Sequence, residues 1–364
     1  MTVAIADPVL STWIVAGAVL LALIASARAR RESGLFSQRL TQEVKGFAIL
    51  AIIFSHTGYF LVTDHQFLFP LSILAGVGVN IFLFLSGFGL TMSALARERK
   101  PVEFYLHHLP RLFIPLWITL GIFLALDFFV LDLSYGWQYI AQSLAGFFPH
   151  ADLYTDIDSP LWYLTLALFY YIVFPLFFST KRPWLSAILV YAVSELAFRL
   201  AGHALDAVAH LYAVHLFAFP LGMMFAWLLR TPSPVARVLA CAGELGAVAR
   251  YCLLAALAVP ACYFAYFSGV GDTVLHEQTA SLVVVALVVL IFMIKRTDFG
   301  VLYVFGLYSY EIYLLHWPLL YRYDILYARA PAWLATILYL FVFIALAYTL
   351  RHLSNFLIRP IIQK

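Results

Sequence analysis

Apolar stretches of about 20 residues, the length a helix needs to cross roughly 30 Å of hydrocarbon, recur along almost the whole chain. No other feature constrains the fold as strongly. The stretches cover residues 9–27, 44–62, 71–95, 112–131, 162–179, 184–201, 208–229, 250–268, 279–294, 300–321 and 332–354. The connections are short apart from the one between Asp132 and Pro160. This pattern predicts an all-α, polytopic membrane helix bundle of about eleven transmembrane helices. Composition points the same way, because only 11% of the 364 residues are charged and 64% are hydrophobic. Soluble domains carry roughly 25% charged residues, and a water-soluble fold of this length could not keep so much apolar side chain off its surface.

The loops alternate in charge. One set holds Arg28, Arg30, Arg31 and Arg39, then Arg97, Arg99 and Lys100, Lys181 and Arg182, Arg230 and Arg237, Lys295 and Arg296, with Arg359 and Lys364 in the tail. The other holds Asp64, Asp132, Asp152, Asp156, Asp158, Asp206, Asp272 and Glu277, with Arg322 and Arg329 as its basic exceptions. Lys/Arg excess marks the cytoplasmic side, so the N-terminus is expected outside and the C-terminus inside. The first apolar run lacks a basic leader and a cleavage pattern, which predicts a retained span rather than a signal peptide. Cys241, Cys252 and Cys262 form no C-x-x-C pair and read as small apolar fillers, neither a disulfide framework nor a metal site. The net charge of +3 gives no reason to expect a nucleic-acid partner. Membrane lipids are the surroundings implied, and nothing in the pattern signals an oligomeric state.

Ionisable groups inside hydrocarbon are costly and therefore functional candidates. Here they are Asp127, Glu195, Glu311, His56 and His316, while Arg199 stands close enough to a helix end to snorkel. His56 closes an apolar helix opened by Lys45, and eleven residues of helix place the two on one face about 16 Å apart. A neutral imidazole suits removal of a proton from a hydroxyl; the plainer alternative is a histidine hydrogen-bonded to a neighbouring helix. In Gly306-Leu307-Tyr308-Ser309-Tyr310-Glu311-Ile312-Tyr313-Leu314-Leu315-His316-Trp317-Pro318, Ser309, Tyr313 and His316 share one face. An interfacial aromatic belt is the ordinary account of Tyr313 and Trp317, whereas a carboxylate at Glu311 needs a partner or a proton. The glycines of residues 76–89 permit close helix approach or a broken helix beside a cavity. His107, His108 and Arg111 follow Arg97, Arg99 and Lys100. Such a cluster either holds the phosphates of a nucleotide-bearing donor or merely flanks the inner face of a span.

Taken together, these segments resemble acyltransferase family 3, a family of membrane O-acyltransferases. Lys45-Gly46-Phe47-Ala48 through His56 has the spacing of the family's first Arg-to-His motif. Residues Gly78 to Gly89 resemble its Gly-Val-x-x-Phe-Phe-x-x-Ser-Gly-Phe segment, and Phe104 to Pro115 its Tyr-x-x-Arg-x-x-Arg-x-x-Pro stretch. Trp162 to Pro175 and Gly306 to Pro318 resemble its Trp-x-Leu helix and its C-terminal Ser-Tyr…His phrase. There are departures. Lys45 stands for the usual Arg, Gln42 for an Asp and His108 for the first Arg of a basic pair. Ala167 and Leu168 occupy the place of a Glu pair.

The resemblance implies an acyl-CoA donor, commonly acetyl-CoA, with no metal. It implies a hydroxyl acceptor on an extracytoplasmic glycan or lipid-linked sugar, and a bacterial cytoplasmic (inner) membrane as the setting. His56 would deprotonate the acceptor. Lys45 and Arg111, with His108 in the basic-pair position, would hold the donor, and Glu311 or His316 would orient His56 or the acceptor. Residues 1–40 would form an extra transmembrane helix and cytoplasmic loop ahead of an acyltransferase domain over 41–364, with no separate soluble domain. The acidic loop of Asp152, Asp156 and Asp158 is a weaker candidate for touching sugar hydroxyls. The rival reading from another class is a transporter or flippase of a lipid-linked saccharide, whose midplane charges would serve passage rather than chemistry. It lacks the paired, Gly/Pro-broken segments expected of two repeated halves. An O-acyltransferase of another family and a catalytically dead subunit are further alternatives.

Overall fold

The computed structural model describes residues 3–362 except Arg31, Ser33, Asp64, Glu98, residues 202–204, Asp206 and residues 270–272. Of the loop charges used to orient the chain, Arg31, Asp64, Asp206, Asp272 and Lys364 lie outside the described residues. Among the described residues, ten helical segments are long and apolar enough to cross a membrane. The helices are α1 (Pro8–Ser26), α2 (Gln38–Ser55), α3 (Ala75–Ala96), α4 (Pro101–Leu131), α5 (Trp137–Leu144), α6 (Trp162–Phe177), α7 (Pro183–Ala201) and α8 (Ala209–His215). They continue with α9 (Ala218–Arg230), α10 (Pro234–Gly243), α11 (Ala247–Phe267), α12 (Val274–Ile294), α13 (Gly300–Leu307), α14 (Ser309–Tyr321) and α15 (Ala332–Ile362). Helices α8 and α9 together form one of the ten segments. The expected span over 300–321 is present but broken at Tyr308 into α13 and α14, and with it the bundle matches the expected all-α, eleven-helix class.

Three departures from straight spans matter for function. After Ser55 the second span widens into a π-helix, His56–Leu61, a form concentrated at functional sites. The seventh breaks between α8 and α9, where the Tyr170 hydroxyl donates to the freed Leu216 carbonyl at 2.6 Å. At the third, between α13 and α14, the Arg351 guanidinium donates to the Leu307 carbonyl. Broken backbone inside an apolar layer persists only where such groups are re-satisfied.

Close helix crossings hold the centre. A Cβ on Gly46 would lie 1.9 Å from the Leu302 carbonyl oxygen, and one on Gly306 would lie 1.7 Å from that of Gln42. Gly87 and Gly222 stand in the same reciprocal relation to Phe219 and Phe84 across α3 and α9. Small residues that let backbones touch are the usual device where lipid supplies no hydrophobic drive between helices. Gly78 packs on α2 against Ala48 and Ile52, so that stretch uses two of its glycines for close approach.

At the end rich in basic loops, Ala27–Ala29 (β1) pairs antiparallel with Thr297–Phe299 (β2). Arg30 donates to the Met293 and Phe292 carbonyls at the end of α12, at 3.1 and 2.7 Å, and pairs with Asp298 at 3.2 Å. Lys295 pairs with buried Glu43. Helix α1 is thereby tied into the bundle. Cys241, Cys252 and Cys262 are exposed on its perimeter and do not fill internal gaps.

Two of the intramembrane charges are taken up structurally. Glu195 pairs with Arg199 one turn on at 2.8 Å, on an open face. Asp127 is fully buried and accepts from Arg322, from Tyr323, and from Tyr135 at 2.6 Å. This explains why Arg322 interrupts the acidic set: it neutralises Asp127. Asp127→Ala should leave Arg322 buried without its counter-charge, costing about 3–5 kcal/mol, whereas Glu195→Ala should cost about 0.5 kcal/mol. Thermal midpoints of the detergent-solubilised variants check this; equal midpoints would refute it.

Candidate active site

His56 begins the π-helical turn, and His316 comes from the middle of α14. Their rings lie nearly parallel, 6° apart, with His56 Nδ1 and His316 Nε2 separated by 2.6 Å. His316 Nδ1 is 2.9 Å from the Tyr313 carbonyl oxygen, which can only accept. Nδ1 of His316 therefore carries its proton, and its Nε2 is an acceptor. His56 must then donate through Nδ1, which leaves His56 Nε2 with a free lone pair. These two hydrogen bonds thus set one tautomer on each ring, the way an orienting group prepares a general base. Trp317 and Phe60 pack edge-on against His56 at 5.3 and 5.7 Å, fixing its plane.

Two cavities lie along the helices that carry this pair, and His56 lines one of them. The first, about 400 Å³, is lined by His56, Tyr59, Trp162, His215, Tyr313 and Ser159 among others. The second, about 530 Å³, is polar and basic: Lys45, Arg111, Arg351 and Arg359 surround Glu311, with Gln42 and Asn355 beside them. Helices α2 and α14 run past both. The first carries Lys45 in the basic cavity, and the π-helical turn that continues it starts with His56 in the other, about 16 Å away by helical rise; the second carries Glu311 in the basic cavity and Tyr313 in the same cavity as His56. The Tyr313 hydroxyl donates to the Pro160 carbonyl, tying α14 to the start of α6.

Of the expected site residues, His56 and His316 touch, and Lys45, Arg111 and Glu311 share the basic cavity. Glu311 does not reach the histidines; its nearest cation is Arg351, at 4.0 Å. His108 does not line the basic cavity. Its ring lies 4.4 Å from that of Phe104 and near Tyr171, and its Nε2 finds no hydrogen-bond partner among the described residues. Arg351 was not singled out from sequence, although Arg351, Ser354, Asn355 and Ile358 repeat at helical spacing and all line the cavity. Helix α15 runs to Ile362, beyond the expected end at residue 354, and so brings Arg359 to the same rim.

The acidic loop is largely self-satisfied. Asp152 accepts from the Tyr154 and Thr155 amides, both at 2.8 Å, and Asp156 accepts from the Asp152 amide at 2.8 Å. Asp158, just ahead of α6, is buried, and burial pushes its carboxyl well above the ordinary range, with Arg322 pulling the other way.

Comparison with known proteins adds one decisive match. A family model described as an acyltransferase domain, that of acyltransferase family 3, matches residues 44–352. No curated protein matches, and no solved structure matches. The match runs through every segment that forms the histidine pair and includes Lys45, Arg111, Glu311 and Arg351 of the basic cavity, while Gln42 and the residues from Ser354 to Arg359 lie outside it. It covers most of the chain, and on that ground this protein is a membrane acyltransferase belonging to acyltransferase family 3.

Proposed function

We propose that the protein transfers an acyl group, in the first instance the acetyl group of acetyl-CoA, to a hydroxyl of a glycan or glycolipid on the opposite side of a bacterial cytoplasmic membrane. The observation that carries this reading is His56, paired with buried His316 and lining a cavity separate from the basic one. Four cations around one carboxylate suit the phosphates of coenzyme A. An arm spanning the distance from Lys45 to His56 would bring the thioester to the imidazole, and pantetheine is an extended chain of that order. The basic end would then face the cytoplasm, with the N-terminus outside.

In this reading the acceptor hydroxyl gives its proton to His56 Nε2 as its oxygen attacks the thioester carbonyl. The carbon–sulfur bond breaks, the imidazolium returns the proton to the leaving thiolate, and an ester and free coenzyme A result. The charge that develops on His56 is shared through Nδ1 with His316 Nε2. His316 touches neither substrate and is a positioning residue. Metal chemistry plays no part in this sequence of steps.

The test is reconstitution in liposomes with acetyl-labelled coenzyme A supplied at the basic face and glycolipid or glycoside at the other. Label appearing in an alkali-labile ester of the sugar supports the reading. Sugar that crosses unmodified would instead favour a carrier, and a donor left unconsumed would exclude acetyl-CoA. Arg111 makes no ion pair among the described residues, so Arg111→Ala should raise KM for the donor about tenfold through lost phosphate contact. Its kcat should change little; an unchanged donor KM would remove Arg111 from the donor site.

A further inference from the structure

The cavity that holds His56 contains a second prepared histidine. His215 closes α8 and is 3% exposed, and what surface it has lies in that cavity. Its Nδ1 is 2.7 Å from Asn80 Oδ1, and Asn80 Nδ2 donates to Ser281 Oγ at 2.8 Å. An amide oxygen only accepts, so His215 Nδ1 carries the proton and its Nε2 is left as a lone pair. Asn80 and Ser281 are both fully buried. They come from α3 and α12, so three helices meet at this one imidazole. Trp162 lies over the ring at 5.4 Å and 25°, preventing it from turning.

A bond that served only to join helices would be complete with the Asn80–Ser281 pair. Among the described residues no hydrogen bond engages the other imidazole nitrogen, and His215 lines the cavity, so that nitrogen is left to whatever occupies it. The described lining also restricts what can bind there. It includes no Lys or Arg, and its one carboxylate, Glu277, is paired with His210 at 3.0 Å. An anionic group would find no counter-charge, whereas a hydroxyl can donate to a neutral imidazole nitrogen.

We propose that His215, fixed by Asn80 and Ser281, accepts a hydrogen bond from a second hydroxyl of the acceptor while His56 accepts the reacting one. The cavity then selects uncharged compounds with at least two hydroxyls, such as neutral sugars, over uronic acids and sugar phosphates. This inference rests on the transfer reading above. His215 acts on affinity and regioselectivity, and the proton transfer itself remains with His56.

The experiment uses the full-length protein with acetyl-CoA and a panel of methyl glycosides (gluco, galacto, manno and N-acetylglucosaminyl), their monodeoxy forms and methyl glucuronide. With wild type, one deoxy position should raise acceptor KM about tenfold or more, the value of a hydrogen bond lost from a buried partner, at nearly constant kcat. His215→Ala should raise KM for the parent glycoside by a similar factor and should not weaken that deoxy form further. Asn80→Ala should move KM in the same direction. If every deoxy glycoside other than the one lacking the reacting hydroxyl performs like its parent with wild type, the proposal falls, whatever the variants do. Equal use of the glucuronide would also overturn it. Absence of transfer to every glycoside would instead overturn the transfer reading, a different failure visible in wild type alone.

Discussion

Replacing His56 with Ala should lower the rate of acyl transfer about a thousandfold, the middle of the range that a positioned general base contributes. The neighbouring imidazoles are placed for other work. His215 Nε2, in the same cavity, would hold the second hydroxyl, and His316 is fully buried, lines neither cavity and has its Nδ1 committed to the Tyr313 carbonyl. Glu311 lies in the other cavity beside Arg351. Donor affinity should survive, because the cations that would hold the phosphates stand about 16 Å along α2 from the imidazole. His56→Ala should therefore bind acetyl-CoA like wild type by calorimetry while failing to form the ester. His316→Ala should fall between the two, since it removes the orienting partner but leaves the base. Transfer by His56→Ala within tenfold of wild type would end the case for this histidine as the base.

The helices were legible because the solvent is lipid: a span must be about 20 residues of apolar side chain, and the chain supplies eleven. The breaks were not. Leu216, Phe217, Leu307 and Tyr308 are apolar or aromatic, so hydropathy runs through them without a dip. At the first, Pro220 has no N–H to give the Leu216 carbonyl four residues back, and the Tyr170 hydroxyl takes its place; at the second, the Arg351 guanidinium serves the Leu307 carbonyl. The histidine pair was half legible. Each ring stood out as an ionisable group in an apolar helix, and the shared face of Tyr313 and His316 was readable from spacing. Their contact with His56 was not, since His56 and His316 are 260 positions apart.

Glu311 shows where spacing held an answer left unused. Five residues of α-helix turn a side chain about 140°, so Glu311 and His316 point to different sides of α14: Glu311 lines the basic cavity, while His316 lines neither cavity and meets His56 instead. His108 shows the converse. It lies only three residues from Arg111, yet packing against Phe104 and Tyr171 takes it away from the cavity. Arg351 was not singled out, since its partners, Leu307 and Glu311, lie far from it in the chain. The Asn80–His215 bond joins residues 135 apart, with no local pattern to announce it.

The second large effect is expected at Gly306, where adding a single methyl group should cost about 3 kcal/mol or more. Overpacking of a core usually costs about 1–3 kcal/mol because a flexible neighbour gives way. Here the neighbour is backbone: the new Cβ would lie 1.7 Å from the Gln42 carbonyl oxygen and 2.9 Å from the Gly46 nitrogen. Relief requires α13 to lift away from α2, and that movement has a functional cost. Gln42 and Lys45 lie on one side of the crossing, and Gly306, Leu307 and Ser309 on the other, and all five line the basic cavity. Parting the helices would spread the cations and pull Leu307 from the Arg351 guanidinium that satisfies its carbonyl. Gly306→Ala should thus lower both the yield of monodisperse protein and the donor affinity of what remains folded. Gly89→Ala is the matched control, because a Cβ there meets nothing within 4 Å, and replacing a helical glycine with alanine costs nothing in propensity. Should the two variants show the same yield, thermal midpoint and donor affinity, the α2–α13 contact would have no part in shaping the donor cavity.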